Sequence, residues 1–140
     1  MIKNKLFRTM LIILAVITLA GGTTLYFVLQ NGKKLKEQTI DDILKASVDV
    51  PVITTNLAGD DYIKISFKIQ TDSKDAKEEL TKRDFQVKNI IIEELSEKRA
   101  QDLQGKAGKL QFENTLKERI NKMMKDGKVM KVYITESLLQ

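Results

Sequence analysis

Near its N-terminus the chain carries one long apolar stretch between two short basic segments. Residues 9–32 contain no charged residue, and the apolar stretch runs from Met10 to Leu29. Twenty helical residues at about 1.5 Å each span about 30 Å, the thickness of the hydrocarbon core of a bilayer. We therefore expect one transmembrane helix, in which the backbone satisfies its own hydrogen bonds. It comprises Met10, Leu11, Ile12, Ile13, Leu14, Ala15, Val16, Ile17, Thr18, Leu19, Ala20, Gly21, Gly22, Thr23, Thr24, Leu25, Tyr26, Phe27, Val28 and Leu29.

The main alternative to a membrane anchor is a cleaved signal peptide. Ala20, Gly21 and Gly22 are small enough for a cleavage site, but apolar residues resume from Leu25 to Leu29. A signal peptide has a shorter apolar region, so the pattern favours an uncleaved anchor. The two glycines permit close helix packing, and they are equally compatible with a helix that faces lipid.

The charges beside this helix nearly balance under the positive-inside rule. Three basic residues precede the helix and three follow it: Lys3, Lys5, Arg8, Lys33, Lys34 and Lys36. Because the short tail precedes the helix and the large domain follows it, we expect a signal-anchor arrangement. Residues 1–9 are then a basic cytoplasmic N-terminus, and the domain lies outside the cytoplasm.

Residues 30–45 form the predicted juxtamembrane linker. A polar connector from Asn31 to Gln38 is followed by Thr39, which can cap a short helical turn with Asp42 as its partner. The turn has a small apolar face made of Ile40, Ile43 and Leu44. The connector and this turn lie closest to the bilayer along the chain, so Ile40, Ile43 and Leu44 are the predicted contact with a partner protein.

Two alternating segments then predict a β-hairpin. Ser47–Leu57 is extended, with Val48, Val50, Val52 and Thr54 on one face, and Pro51 requires a strand edge or a bulge. Residues 58–61 supply the turn. In the next strand, from Tyr62 to Thr71, four apolar residues alternate with polar ones and predict one buried face: Ile63, Ile65, Phe67 and Ile69.

The last part of the chain predicts two helices and a strand. Apolar residues spaced by three, four or seven favour one long helix from Ser73 to Lys98, with Glu78, Glu79, Glu93 and Glu94 on solvated faces. Residues 105–108 are expected to break the chain before a helix from Leu110 to Asp126, with Gly127 as its stop. A strand from Lys128 to Leu139 follows, with Met130, Val132, Ile134 and Leu138 on one face.

The predicted fold class is therefore α+β, with a single N-terminal transmembrane helix and a small β-β-α-α-β domain over residues 46–140. Two methionines in the second helix, Met123 and Met124, are expected in the core. The solvated strand face should carry Lys64, Lys68 and Lys131, which are available to acidic partners.

Composition excludes several classes of function. The 140 residues contain no Cys and no His, which removes thiolate metal sites, the usual general base and ordinary catalytic triads. The formal charge of +5 resides in residues 1–38, whereas residues 39–140 hold 18 basic and 18 acidic residues. The folded part therefore lacks the excess charge of a nucleic-acid-binding domain.

No segment carries recognisable catalytic or cofactor chemistry. The sequence LQGKAGK lacks the spacing of a phosphate-binding loop, since Lys109 is followed by Leu110. The adjacent acidic pairs Asp41-Asp42 and Asp60-Asp61 point apart in a helix or strand, and no serine has a motif around it. We therefore expect no enzyme, no cofactor and no metal site.

The order of these segments resembles one known family over the whole chain. The segments that carry the resemblance are TIDDIL, SVDVPVITTNL, YIKISFKIQTD, RDFQVKNIIIEEL, QDLQGKAGKLQFENTLKERIN and GKVMKVYITESLLQ, which ends in Gln140. The chain is similar to the flagellar basal-body-associated FliL family. Most of the specificity comes from the order of these segments, from the KVMKVYIT strand and from the terminal glutamine.

The resemblance implies a single-pass protein of the inner membrane in the bacterial flagellar motor, with a cytoplasmic N-terminus and an outer domain similar to the stomatin/SPFH fold. It also implies association with the stator proteins MotA/MotB, self-association that extends to a ring, and support of flagellar rotation, chemotaxis and swimming or swarming. The family offers no catalytic residue to transfer. The alternative is a membrane-anchored extracytoplasmic module of the cell envelope that binds or senses a ligand.

Overall fold

The computed structural model describes residues 2–32 and 37–140. The chain divides into two compact units, residues 1–37 and 38–140. Of the predicted connector, residues 33–36 lie outside the described residues, and so do the lysines among them that entered the orientation argument.

The first unit contains a single helix, α1, from Ile2 to Gly32. It extends beyond the predicted span of 10–29 at both ends, and Lys3–Gln30 is long and apolar enough to cross a membrane. Threonine hydroxyls of α1 donate hydrogen bonds to the helix backbone. Thr23 donates to the carbonyl of Leu19 at 3.0 Å, and Thr24 donates to that of Ala20 at 2.8 Å. An apolar helix with internally satisfied hydroxyls is the form that a bilayer requires.

The second unit is built on a three-stranded antiparallel sheet. Its strands are β1 from Ser47 to Asn56, β2 from Tyr62 to Thr71 and β3 from Val129 to Leu139, in the order β1-β2-β3. The predicted bounds of β2 are confirmed, and its four alternating apolar residues are buried, including Phe67 at 1% exposure. Because β2 pairs with β1 on one side and with β3 on the other, it is the central strand of the sheet.

The predicted bulge in β1 is confirmed, but the predicted face beyond it is wrong. Val50 pairs with Phe67 and Ile53 pairs with Ile65, so β1 carries one extra residue around Pro51. One extra residue exchanges the two faces of a strand. Val52 is therefore exposed, and Ile53 packs against the core in its place.

The predicted face of β3 is wrong at both ends for the same reason. The register with β2 shifts near Ser66 and again near Gln70. As a result Met130 and Leu138 are exposed, at 44% and 49%. The core side of β3 is made instead by Val129, Val132, Ile134 and Leu139.

The single long helix predicted from Ser73 to Lys98 is wrong, because the chain forms two helices. The first, α3, runs from Lys74 to Lys82, and the second, α4, runs from Asp84 to Ser96. Between them Arg83 leaves the helical conformation, with φ −96° and ψ 18°. Its side chain donates to Glu79 at 2.8 Å and to Gln86 at 2.9 Å, which holds the bend without a proline or glycine.

The helix predicted from Leu110 to Asp126 begins and ends earlier than expected. Helix α5 runs from Gly105 to Asn121, so residues 105–108 form its first turn and do not break the chain. A Cβ on Gly108 would lie 2.5 Å from the carbonyl oxygen of Asp102, in the short 3₁₀ turn Ala100–Leu103. Glycine at this position therefore permits close packing of helix on turn.

Helix α5 stops at Asn121 because this side chain bonds to the following strand. Its amide donates to the carbonyl of Val129 at 3.0 Å and accepts from the Val129 N–H at 2.7 Å. Gly127 is therefore not the helix stop. It has φ +135° in the turn before β3, where a Cβ would meet Asp72.

Helices α3, α4 and α5 pack on one side of the sheet and enclose one core. Phe67 of β2 faces Phe112 of α5 with ring centroids 6.2 Å apart. Met123 and Met124 pack against this core, as predicted. The class α+β is confirmed, with three helices between β2 and β3 instead of two and a short additional helix before β1.

Candidate functional site

The additional helix contains the predicted partner-contact residues. Helix α2 runs from Ile40 to Lys45. Ile40 is 67% exposed and Leu44 is 49% exposed, whereas Ile43 is half-buried. The structure thus places two of the three predicted residues on an open surface of the domain and the third at its edge.

The predicted cap fixes the start of α2. The Thr39 hydroxyl accepts from the Asp42 N–H at 3.2 Å, and the Asp42 carboxylate accepts from the Thr39 N–H at 3.1 Å. This reciprocal pair is a capping box, so the prediction from Thr39 and Asp42 is confirmed.

The other end of α2 is fixed to the sheet. The carbonyl of Ala46 accepts two hydrogen bonds from Thr71 of β2, from its N–H at 2.9 Å and from its hydroxyl at 2.6 Å. Thr71 is fully buried. The exposed apolar residues of α2 therefore lie on a helix whose two ends are fixed by hydrogen bonds.

The side chain of Glu79 is buried, which corrects the prediction of a solvated face. It is 8% exposed and accepts from the backbone N–H groups of Lys125 and Asp126, the latter at 2.7 Å, and from Arg83. The backbone hydrogen bond from Asp126 and further donors hold the pKa of Glu79 below its ordinary 4.5, although burial opposes the shift. This carboxylate connects α3 to the segment between α5 and β3.

Glu94 is also buried, and the same prediction is wrong there. Arg119 of α5 donates to Glu94 at 2.8 Å and to Glu93 at 2.7 Å. The Arg119 hydrogen bond lowers the pKa of Glu93, and in return Glu93, followed by Glu94, raises the pKa of Arg119. These contacts join α4 to α5 across the outside of the core.

The sequence contains a signal for both buried glutamates. Glu79 follows the buried Ala76 by three residues and precedes the buried Leu80, and Glu94 has the same spacing to Ile91 and Leu95. A residue at that spacing lies at the inner edge of a helix face. The partners in both contacts are distant along the chain, and the pattern does not predict them.

The solvated face of the sheet carries the three lysines that were predicted there. Lys64 is exposed, Lys68 pairs with Asp49 of β1 at 2.8 Å, and the ammonium group of Lys131 lies 4.7 Å from the ring centre of Tyr133. Two of the three lysines thus have partners within the domain.

Serine hydroxyls within the described residues take part in local hydrogen bonds. Ser47 donates to the carbonyl of Ile43, Ser96 donates to that of Glu93, and Ser73 caps α3 by accepting from the Ala76 N–H. Over residues 2–32 and 37–140 no group of three or more acidic residues is arranged to hold a metal ion.

An apolar groove of about 280 Å³ lies between the edge strand β1 and the bend that joins α3 to α4. Its floor includes Val50, Leu80 and Val87. On α4, Phe85 is 66% exposed and Ile92 is 41% exposed.

Comparison with known families decides the assignment. A family model described as flagellar basal body-associated protein FliL matches residues 47–140. The chain belongs to the FliL family. The resemblance seen in the sequence is thereby confirmed, and this FliL protein is a flagellar basal-body protein with an apolar N-terminal helix long enough to span a membrane.

Two relatives support the same assignment. The flagellar protein FliL of Bacillus subtilis (strain 168) is 47% identical over 123 residues, which cover 86% of this FliL protein and 88% of the relative. The flagellar protein FliL of Aquifex aeolicus (strain VF5) is 28% identical over 93 residues, which cover 64% and 58%. The Bacillus alignment is longer than the 94-residue family match, so the similarity extends beyond the domain.

Proposed function

We propose that this protein is a non-enzymatic accessory of the flagellar motor that associates with the stator proteins MotA/MotB. In this proposal α1 spans the inner membrane with a cytoplasmic N-terminus, and residues 46–140 form the extracytoplasmic domain. The protein self-associates, extending to a ring, and supports flagellar rotation in swimming, swarming and chemotaxis.

The observation that carries the proposal is the exposed apolar surface of α2. Ile40 and Leu44 are exposed at the point where the domain begins, and the capping box and Thr71 hold them in place. A helix whose ends are already fixed loses little backbone entropy when a partner buries its apolar side chains. Seven residues separate the end of α1 from the start of α2, so in this proposal a membrane-embedded partner lies within reach of α2.

The proposal is tested by replacing the apolar side chains of α2. Ile40, Ile43 and Leu44 together changed to Ser should reduce swarming while filament number and membrane level stay the same. Because Ile43 is half-buried, a second variant with only Ile40→Ser and Leu44→Ser separates contact from folding. Normal swarming in both variants would remove the α2 contact from the proposal.

A matched control removes exposed apolar residues elsewhere on the domain. Val52 is 50% exposed and Leu138 is 49% exposed, compared with 67% for Ile40 and 49% for Leu44. The double change Val52→Ser and Leu138→Ser should leave swarming unchanged. An equal loss of swarming in this control would indicate a general effect of surface polarity.

A further inference from the structure

A shallow groove of about 420 Å³ lies between the end of α2 and one side of α3. We call it the lysine groove. The residues that line it are Lys45, Lys74, Lys77, Glu78, Thr81 and Lys82. Four of these six side chains are basic and one is acidic, although the bases and acids of residues 39–140 are equal in number.

Helix geometry explains why these charges lie together. Residues 74, 77, 78, 81 and 82 are spaced by three or four positions, which places them along one side of α3. Lys45 is the last residue of α2 and reaches the same groove because Ala46 is bonded to Thr71. The groove is thus a product of the fold, since residue 45 is far from residue 82 in sequence.

The lysines of the groove carry an excess of positive charge, since Glu78 is the one acidic residue that lines it. None of the four forms an ion pair within residues 2–32 and 37–140, in contrast to Lys68 and Lys88, which pair with Asp49 and Asp84. The other flank of α3 is acidic, because Asp75, Glu79 and Asp126 line a second pocket there, which shares Glu78 and Lys82 with the lysine groove. The charge is therefore asymmetric across α3, and the groove is its positive side.

We propose that the lysine groove contacts the phosphate groups of anionic phospholipids on the membrane surface next to the domain. Each lysine near an anionic membrane surface raises the binding constant roughly fivefold. The attraction fades within a Debye length of about 10 Å. The asymmetric charge on α3 then selects one orientation of the domain, with the basic flank toward the lipid.

The composition of the groove favours a lipid surface over a protein. Protein interfaces concentrate Tyr, Trp and Arg and are depleted in Lys, and the lining of this groove contains no aromatic residue and no Arg. Lysine carries a compact charge on a flexible stem, which suits a fluid layer of phosphates without fixed geometry.

Chain length keeps the start of the domain close to the end of α1. Only residues 33–37 separate α1 from residue 38, and five residues extend to at most about 18 Å. This lipid contact rests on the proposed anchoring of α1 in the membrane and not on an association with the stator.

The test uses the full-length protein in vesicles, and it exploits the absence of cysteine from the chain. A single Thr81→Cys change places a fluorophore in the groove, and lipids with a nitroxide headgroup report its distance from the membrane surface. Vesicles of phosphatidylcholine with phosphatidylglycerol should give stronger quenching than phosphatidylcholine alone. Added salt should remove the difference.

The charge dependence is tested with two matched variants. Changing Lys45, Lys74, Lys77 and Lys82 to Gln should abolish the extra quenching in phosphatidylglycerol. Changing Lys106, Lys109 and Lys117 of α5 and the following Lys122 to Gln removes the same charge elsewhere and should leave the extra quenching intact. An unchanged melting temperature in both variants excludes loss of folding as the cause.

Two results would overturn the proposal. Equal quenching with and without phosphatidylglycerol would show that the groove does not contact anionic lipid, and equal loss in both variants would show that only net charge matters. Protection of the label only when other flagellar proteins are added would identify the groove as a protein-binding surface instead.

Discussion

The carboxylate of Glu79 accepts a hydrogen bond from the backbone N–H of Asp126 at a distance of 2.7 Å, across 47 positions of the sequence. The contact joins α3 to the turn that precedes β3. The segment from Lys122 to Lys128 has no regular secondary structure. The buried carboxylate of Glu79 therefore accepts hydrogen bonds from backbone N–H groups of this segment that would otherwise lack an acceptor.

We predict that Glu79→Gln lowers the melting temperature at neutral pH by roughly 5 °C, because the amide is a weaker acceptor for these N–H groups. Glu78→Gln is the matched control, since Glu78 is exposed and next to it. Thermal unfolding followed by circular dichroism provides the measurement. Equal melting temperatures for the two variants would contradict a structural role for Glu79.

The lowered pKa of Glu79 also predicts a pH dependence. The unfolded chain binds the proton near pH 4.5, and the folded protein binds it only at lower pH. The stabilisation from Glu79 is therefore complete above about pH 4.5 and is lost as the pH falls through the folded-state pKa. The difference in melting temperature between wild type and Glu79→Gln should shrink below pH 4.5, and a constant difference would count against the assignment.

We predict that Glu94→Ala destabilises the domain by about 1 kcal/mol, because it removes the hydrogen bond between Arg119 and the buried Glu94, while Arg119 keeps Glu93 as a partner. On the sequence alone, a solvated Glu94 predicts a change of no more than about 0.5 kcal/mol. A double-mutant cycle with Arg119→Ala measures the coupling. A coupling free energy near zero would show that the ion pair contributes nothing to stability.

Ile91→Asp should destabilise the domain by several kcal/mol, because Ile91 is fully buried and an unpaired carboxylate would replace it. Ile92→Asp makes the same chemical change at a neighbouring residue that is 41% exposed, and its effect should be small. Denaturant unfolding compares the two variants, and similar midpoints would mean that the inner face of α4 is misplaced.

Residues 38–140 expressed alone should be soluble and should unfold cooperatively. The hydrophobic core lies entirely within this range, and Gln38 already contacts Gln70 of β2 through their side chains. A fragment of this length can support one domain. Broad, non-cooperative unfolding would show that the domain needs residues before Gln38.

The sequence predicts those elements whose pattern is local. The alternation in β2, the capping box of Thr39 and the apolar length of α1 all appear in short windows, and the structure confirms each of them. The family was also recognisable, because the order of several weak segments is more specific than any one of them.

The errors in the prediction arise from contacts between distant residues. The bend at Arg83 is held by its hydrogen bond to Glu79, which also accepts from the backbone N–H of Asp126. No proline or glycine marks the bend in the sequence. The sequence predicts a break in the chain at Gly108, whereas in the structure this glycine permits close contact with the carbonyl of Asp102. In β1 and β3, register shifts exchange the faces, and periodicity alone does not locate such shifts.

We propose that the protein acts on flagellar rotation and not on filament assembly. A deletion strain tests this when filaments are counted by electron microscopy and swarming is scored separately. We expect a normal number of filaments with reduced swarming, restored by the wild-type gene. A deletion strain without filaments would contradict it and would assign the protein a role in assembly.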